Sequence, residues 1–178
     1  MTFRDATHGV AFSDSVDGRH VVFTTSDGGR TWPRVPVDRL PPALPDEGAF
    51  AASGTNVAMV GRGNVWIGTG ASRVLRSSDG GSTWTVSTTP LATGPTAGIF
   101  SIAFRDARNG VVVGGDYKKE GEAVENAAFS TDGGATWSLA RRGLSGFRSA
   151  VAWEPGENAT LLAVGPTGAD RSTDGGRT

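Results

Sequence analysis

The sequence predicts an all-β protein: a β-propeller of about three and a half four-stranded blades, and so an incomplete one. Three observations predict it. The motif Ser/Thr-x-Asp-Gly-Gly-x-Thr-Trp returns at intervals of about fifty residues. A second motif, Phe-Arg-Asp-Ala-x-x-Gly-Val, occurs at Phe3–Val10 and again at Phe104–Val111, close to two repeats apart. Between these motifs lie short apolar stretches broken by Gly, Asp and Asn, and none sustains helical periodicity with caps. Self-similarity at such a period is the mark of a repeat architecture.

The Asp-Gly-Gly motif has the chemistry of a tight turn between two strands. It runs Thr25–Trp32, Ser77–Trp84 and Ser130–Trp137, and a fourth copy, Ser172–Thr178, stops one residue short of its tryptophan. Asp27, Asp79, Asp132 and Asp174 lie 52, 53 and 42 residues apart. Each aspartate can accept hydrogen bonds from backbone N–H groups further along the chain. The pairs Gly28-Gly29, Gly80-Gly81, Gly133-Gly134 and Gly175-Gly176 supply positive φ at little steric cost. Trp32, Trp84 and Trp137 open the next strand with a large ring, expected to be mostly buried between blades. A catalytic site needs different residues converging once, so four near-identical turns are expected to be structural.

Strands follow from the apolar runs. The second repeat offers Ala49–Ala52, Val65–Gly68, Val74–Ser77 and Trp84–Ser87. The third offers Ile99–Phe104, Val111–Val113, Ala127–Ser130 and Trp137–Ala140. In the fourth they are Ser149–Trp153, Leu161–Val164 and Ala169–Ser172. The blades are expected at about 1–38, 48–90, 97–142 and 147–178, within one propeller segment. Closed propellers typically use about four to eight blades. A first strand entered midway and a last turn without its tryptophan point to a piece of a larger wheel. Terminal blades of such a piece expose strand edges, so self-association is expected. The segment Pro33–Glu47 holds five prolines, at 33, 36, 41, 42 and 45, and reads as a stiff, extended surface linker without internal hydrogen bonds. A proline-rich partner motif is its second reading.

Composition excludes several function classes. A formal net charge of −1, with 17 basic residues scattered, gives no general attraction to nucleic acid. With no cysteine there are neither disulfides nor thiolate metal sites. No apolar run reaches membrane-spanning length, and no Gly-x-Gly-x-x-Gly opens a helix. His8 and His20 lack a second ligand at metal spacing. No cofactor is expected.

The aspartate boxes resemble the bacterial neuraminidase repeats of sialidases, some other glycosidases and sortilins. Combined with the Phe-x-Asp-Ala-x-x-Gly-Val strands, they are most similar to the photosystem II stability/assembly factor-like propellers, and the resemblance covers nearly the whole chain. It implies boxes at structural turns away from any active site, a scaffold for protein binding or complex assembly, and export, with the periplasm as compartment.

Blade topology places the loops that could bind. The turn between third and fourth strands carries the box, and the turn between first and second lies on the same face. The opposite face takes Ser13–Arg19, Gly70–Arg73, Asp116–Asn126 and Pro166–Asp170, with the links Val35–Gly48, Ser87–Gly98 and Ala140–Gly146. The richest loop holds Tyr117, Lys118, Lys119, Glu120 and Glu122, with the chain's only tyrosine. A solvated charged hairpin loop is its plain reading. The alternative is a sialidase-type glycoside hydrolase, which pairs a tyrosine nucleophile with a glutamate and needs an arginine triad beside them. Arg39, Arg73, Arg141, Arg142 and Arg148 are available, but no spacing selects them. Asp46, Glu47, Glu154 and Glu157 are loop carboxylates with no defined separation across a cleft. The expectation is a non-catalytic propeller with another protein as partner and carbohydrate as the alternative ligand, with neither nucleic acid nor a membrane span.

Overall fold

A computed structural model describes residues 1–50, 54–156 and 159–178. It is all-β, with four antiparallel sheets in chain order and a single 3-10 turn at Val37–Arg39 among the described residues. The first sheet holds β1 (Thr2–Phe3), β2 (Gly9–Val16) and β3 (Arg19–Thr25). The second holds β4 (Val57–Val60), β5 (Asn64–Gly68), β6 (Arg73–Ser77) and β7 (Thr85–Thr88). In the third are β8 (Ala97–Phe104), β9 (Gly110–Asp116), β10 (Ala127–Ser130) and β11 (Ser138–Leu139). The fourth has β12 (Ala150–Trp153), β13 (Leu161–Gly165) and β14 (Gly168–Ser172). Each sheet is an up-and-down meander, and together they form part of a β-propeller.

The core lies in the seams between neighbouring sheets. Side chains alternate across a strand, so a blade covered on both faces needs apolar residues in unbroken runs. In β9, Val111 and Val113 pack toward the fourth sheet, while Val112 packs toward the second. In β5, Val65 and Ile67 face the first sheet and Trp66 faces the third. Trp66 stacks on Phe104 at 3.6 Å between ring centroids, and its indole N–H donates to the Gly133 carbonyl at 2.8 Å. Near the inner strands, Ile102 N–H donates to Thr55 O at 2.9 Å and Val151 N–H to the buried Ser101 hydroxyl at 3.0 Å.

Two expectations fail here. The first strand of the second sheet is Val57–Val60, not Ala49–Ala52. Ala49 and Phe50 lie outside any strand, and Ala51 and Ala52 lie outside the described residues. The four-residue apolar run of β4 turns back at Gly61, with φ 65°, to pair Val57 with Ile67. Residues near 48 are instead held by Gly70 N–H donating to Gly48 O at 2.8 Å.

The segment 33–47 is not an extended linker without internal bonds. Pro33–Val35 runs along β3, with Thr24 N–H donating to Pro33 O and Val35 N–H to Val22 O. Arg39 N–H then donates to Pro36 O at 3.0 Å, and Leu40 N–H to Val37 O at 3.3 Å. Proline removes its own donor and fixes φ, but the intervening residues keep theirs and close turns.

Candidate functional site

The two faces of the blades differ in what their side chains do. On the turn face every carboxylate of the repeated motif is saturated by its own turn. Asp79 accepts from Ser77 Oγ at 2.8 Å, Ser82 N at 3.0 Å, Thr83 N at 2.9 Å and Thr83 Oγ1 at 2.6 Å. Asp132 repeats this with Ser130, Ala135 and Thr136, and Asp174 with Ser172, Arg177 and Thr178. Asp27 accepts from Thr25 Oγ1, Thr31 N and Thr31 Oγ1. Hydrogen bonds to the ionised form favour it. The Thr31 side chain and backbone hold Asp27 at about 2. Burial opposes the same effect at Asp132 and Asp174, yet the hydroxyl and amide donors keep both at about 2. All eight glycines of the motif have φ between 75° and 93°.

The turns also lock onto the neighbouring hairpin. Gly28, Gly80, Gly133 and Gly175 donate their N–H to Thr7, Gly63, Arg108 and Ala159 carbonyls at 2.8–2.9 Å. In the second motif, Asp5 Oδ1 accepts from the Thr7 and His8 amides, as Asp106 Oδ1 does from Arg108 and Asn109. A Cβ at Gly9 or Gly110 would run into the Phe3 or Phe104 ring, at 2.9 and 2.4 Å, which explains the glycine there. Trp84 is buried, whereas Trp32 and Trp137 are half-buried. Each indole folds back on its own seam: Trp32 and Trp84 donate to the Gly29 and Gly81 carbonyls, and Trp137 to Ser87 Oγ.

The loop face is built differently. The loop after β9 is pinned by its backbone: Lys119 N–H donates to Asp116 O, Glu122 N–H to Lys119 O, and Phe147 N–H to Glu120 O. Asn126, fully buried, donates to the Leu144 and Gly146 carbonyls and accepts from Leu144 N–H. Lys118, Lys119, Glu120 and Glu122 are all exposed, with one weak ion pair between Lys119 and Glu122 at 3.3 Å. The Thr96 side chain and the Lys118 amide lower the Asp116 pKa. Tyr117 is 41% exposed and stands edge-on to Phe50 and Phe100, each at 6.1 Å. Phe50 stacks flat on Phe100 at 4.0 Å, and Phe147 meets Phe100 edge-on at 4.6 Å. Phe50 also walls a cleft of about 630 Å3 shared with Asp14, Asp46, Gly48, Gly70 and Pro95. The phenylalanines were not singled out in the sequence. Their spacing, 50 and 47 residues, follows the repeat and carried the signal.

Of the five arginines weighed beside Tyr117, two are committed elsewhere. Arg73 Nε donates to Glu47 Oε1 at 2.9 Å, and its Nη2 also bonds Glu47 Oε2 and Pro42 O. Arg148 is fully buried, with Nε on Asp170 Oδ2 at 2.7 Å and Nη1 on Phe147 O and Thr167 Oγ1. Arg39, Arg141 and Arg142 are exposed on the links between sheets. Glu47 is 2% exposed and accepts from Thr69 Oγ1 and Leu44 N as well, so it is no open loop carboxylate. Burial works to raise its pKa, and the bonds from Arg73, Leu44 and Thr69 outweigh it, leaving the pKa low. His20 is fully buried 3.7 Å from Glu47, and burial lowers its pKa. His8 bonds Asp5 and Thr7. Glu154 pairs with Arg171 at 3.4 Å, and Glu157 lies outside the described residues. Among the described residues no cluster of three or more His, Cys, Asp or Glu side chains could hold a metal ion.

No protein-family model matches the sequence, and no curated protein is significantly similar to it. Solved structures are similar in fold. The GH74 enzyme of Niastella koreensis superposes with a TM-score of 0.61 at 21% identity, over 90% of this chain and 23% of that one. YCF48 bound to D1 peptide superposes with a TM-score of 0.55 at 18% identity, over 92% of this chain and 48% of that one. The GH74 xyloglucanase of Xanthomonas campestris gives 0.52 at 17% identity, over 94% and 36%. This chain therefore spans between about a quarter and a half of the propellers it matches.

Proposed function

We propose that this chain is a non-catalytic propeller segment that holds a protein partner on its loop face, in the manner of photosystem II assembly factor-like propellers. The blades at about 1–38, 48–90, 97–142 and 147–178 form one scaffold, and the aspartate boxes are its structural clamps. The observation that carries this reading is the half-exposed Tyr117 edge on Phe50 and Phe100, beside Lys118, Lys119, Glu120 and Glu122 on a pinned backbone. Aromatic anchors ringed by charge, on a rigid support, are the makings of a binding hot spot. The neighbour solved with a D1 peptide supports the same class of ligand.

The second reading, a glycoside hydrolase of sialidase type, is favoured by the GH74 neighbours and by the carboxylates of Asp14 and Asp46 around the Phe50 cleft. One experiment separates the two. With the chain as bait in extract of its source cells, partners are quantified against Lys118→Glu/Lys119→Glu, Tyr117→Ala and, as a turn-face control, Arg30→Glu. The binding reading expects the first two variants to lose the captured protein at least tenfold and the third to retain it, with loss at high salt as exposed charges are screened. Turnover of a fluorogenic sialoside abolished by Tyr117→Phe, or of xyloglucan abolished by Asp14→Asn or Asp46→Asn, overturns it.

A further inference from the structure

Five Asp-Gly dipeptides occur in the chain, and the fold treats one of them differently. Four belong to the boxes and begin at Asp27, Asp79, Asp132 and Asp174. The fifth, Asp17-Gly18, is the two-residue tip of the hairpin between β2 and β3. Both of its residues have positive φ, 52° and 67°, and Val16 pairs with Arg19 beneath them. Asp-Gly suits such a turn.

Asp-Gly is also the aspartyl dipeptide in which a chain most readily attacks itself. Glycine has no side chain to shield its nitrogen, and closure onto the aspartate Cγ makes a five-membered ring. The attack needs a carboxyl that can take up a proton and a glycine nitrogen that is not held elsewhere. The boxes deny both. Each box carboxylate accepts three or four hydrogen bonds from its own turn, and such bonds favour the ionised form. The N–H of each following glycine is donated to a carbonyl of the neighbouring hairpin. Asn109-Gly110, a dipeptide with the same weakness, is guarded too: Asn109 Nδ2 donates to Asp106 Oδ2 at 2.9 Å, and Gly110 lies within β9.

Neither guard is present at the hairpin tip. Among the described residues no donor reaches the Asp17 carboxylate, and no acceptor takes the Gly18 N–H. Both residues are exposed, and a Cβ built on Gly18 would meet nothing within 4 Å.

We propose that Asp17-Gly18 is a self-modification site at which aspartate converts to isoaspartate, and that the conversion unfastens the 33–47 strap. The Gly18 nitrogen bonds to Asp17 Cγ, and the carboxyl hydroxyl leaves as water with the amide proton. Water then opens the cyclic imide at the Asp17 α-carbonyl, breaking the bond from that carbon to nitrogen. The main chain now runs through Cγ, and the α-carboxylate stands free. One water is lost and one regained, with no change of oxidation state. The turn gains one backbone atom where it has only two residues to absorb it. Gly18 O accepts from Ala43 N–H of the strap at 3.0 Å, and Arg19 is bridged to Pro42. A displaced tip gives up both contacts.

The test ages the whole folded chain in warm neutral buffer. Isoaspartate is mapped by mass spectrometry with electron-transfer fragmentation of the tryptic peptides Asp5–Arg19 and His20–Arg30, which carry Asp17 and Asp27. It should accumulate at Asp17 at least tenfold faster than at Asp27. In urea, where the guards are gone, the two rates should converge to within twofold. Hydrogen exchange at the Ala43 amide should rise as Asp17 converts. Asp17→Gly keeps a turn of two glycines, which the hairpin accepts, and has no carboxyl, so its Ala43 amide should stay as protected as in fresh protein. Equal rates at Asp17 and Asp27 in the folded chain, or a tenfold gap that persists in urea, overturns the site. Isoaspartate at Asp17 with Ala43 still protected overturns the release, as does loss of that protection in aged Asp17→Gly.

Discussion

The first seam of the molecule and the last are made of the same repeat and closed in different ways. Between the first and second sheets, Val35, Trp84 and Val86 complete the apolar packing, and the 33–47 strap crosses over it. The strap is fastened by a buried carboxylate: Glu47 holds Arg73 and Thr69 of the second blade and lies against His20 of the first. Between the third and fourth sheets the packing is made by the strands themselves, Val111 and Val113 against Val151 and Leu161, with Phe129 and Leu144 beside them. The difference teaches that seams of one repeat are closed by different means. In the first, the Trp84 ring fills the seam and the Glu47–Arg73 ion pair pins the strap across it.

The largest test of that contrast is Trp84→Ala. Emptying a packed indole site should cost about 3–5 kcal/mol. An unchanged melting temperature would show that the ring does not seal the first seam. Glu47→Ala comes next. It strands Arg73 and the Thr69 hydroxyl, and removing one partner of a buried ion pair typically costs about 3 kcal/mol or somewhat more. Hydrogen exchange should then rise first at Val35 and Trp84, and a uniform rise across all four sheets would break the assignment of the strap to one seam. Asp132→Ala should cost about 1–3 kcal/mol through the orphaned Ala135 and Thr136 amides, read from denaturant unfolding. Lys119→Ala, on an exposed ion pair, should leave the melting temperature within error.

Acid should separate the seams. His20 has a folded pKa below its ordinary 6.5, so the neutral form is favoured in the fold, and stability falls as pH drops below 6.5. The Glu47 pKa is lowered from 4.5, so its contribution is present above that value and fades below it. Asp132, at about 2 against an ordinary 3.8, keeps its turn until pH falls through that range. Loosening near Val35 and Trp84 should therefore begin between pH 6.5 and 4.5, before the turns respond. Exchange measured across this range in His20→Phe should lose the upper part of the effect. A wild-type first seam that stays as protected at pH 5 as at pH 7 contradicts the role given to the buried, neutral His20.

What the sequence made legible is what is local. The Asp-Gly-Gly turns and the Phe-Arg-Asp-Ala hairpins close within a few residues, so their spacing sets out the sheets. The strap was misread because its anchor is not local: Glu47 finds Arg73 26 residues away, and nothing in a proline-rich run signals that partner. Strand β4 was missed because its apolar run lacked an alternating pattern, both of its faces being covered. The loop face was half legible. Tyr117 and its charged neighbours stood out as a loop, but the flat stack of Phe50 on Phe100 arises only when neighbouring blades meet.

The N–H of the first glycine in each turn reaches a carbonyl 16–25 residues earlier, inside its own blade. Such a clasp costs little loop-closure entropy, and it needs nothing from the blades that follow. A ribosome adds about 5–20 residues per second, so each clasp can engage within seconds of its last residue leaving the tunnel. The chain can thus be assembled as a ratchet, one finished tooth at a time. A gain or loss of one tooth, by duplication or deletion of about fifty codons, leaves every other clasp as it was.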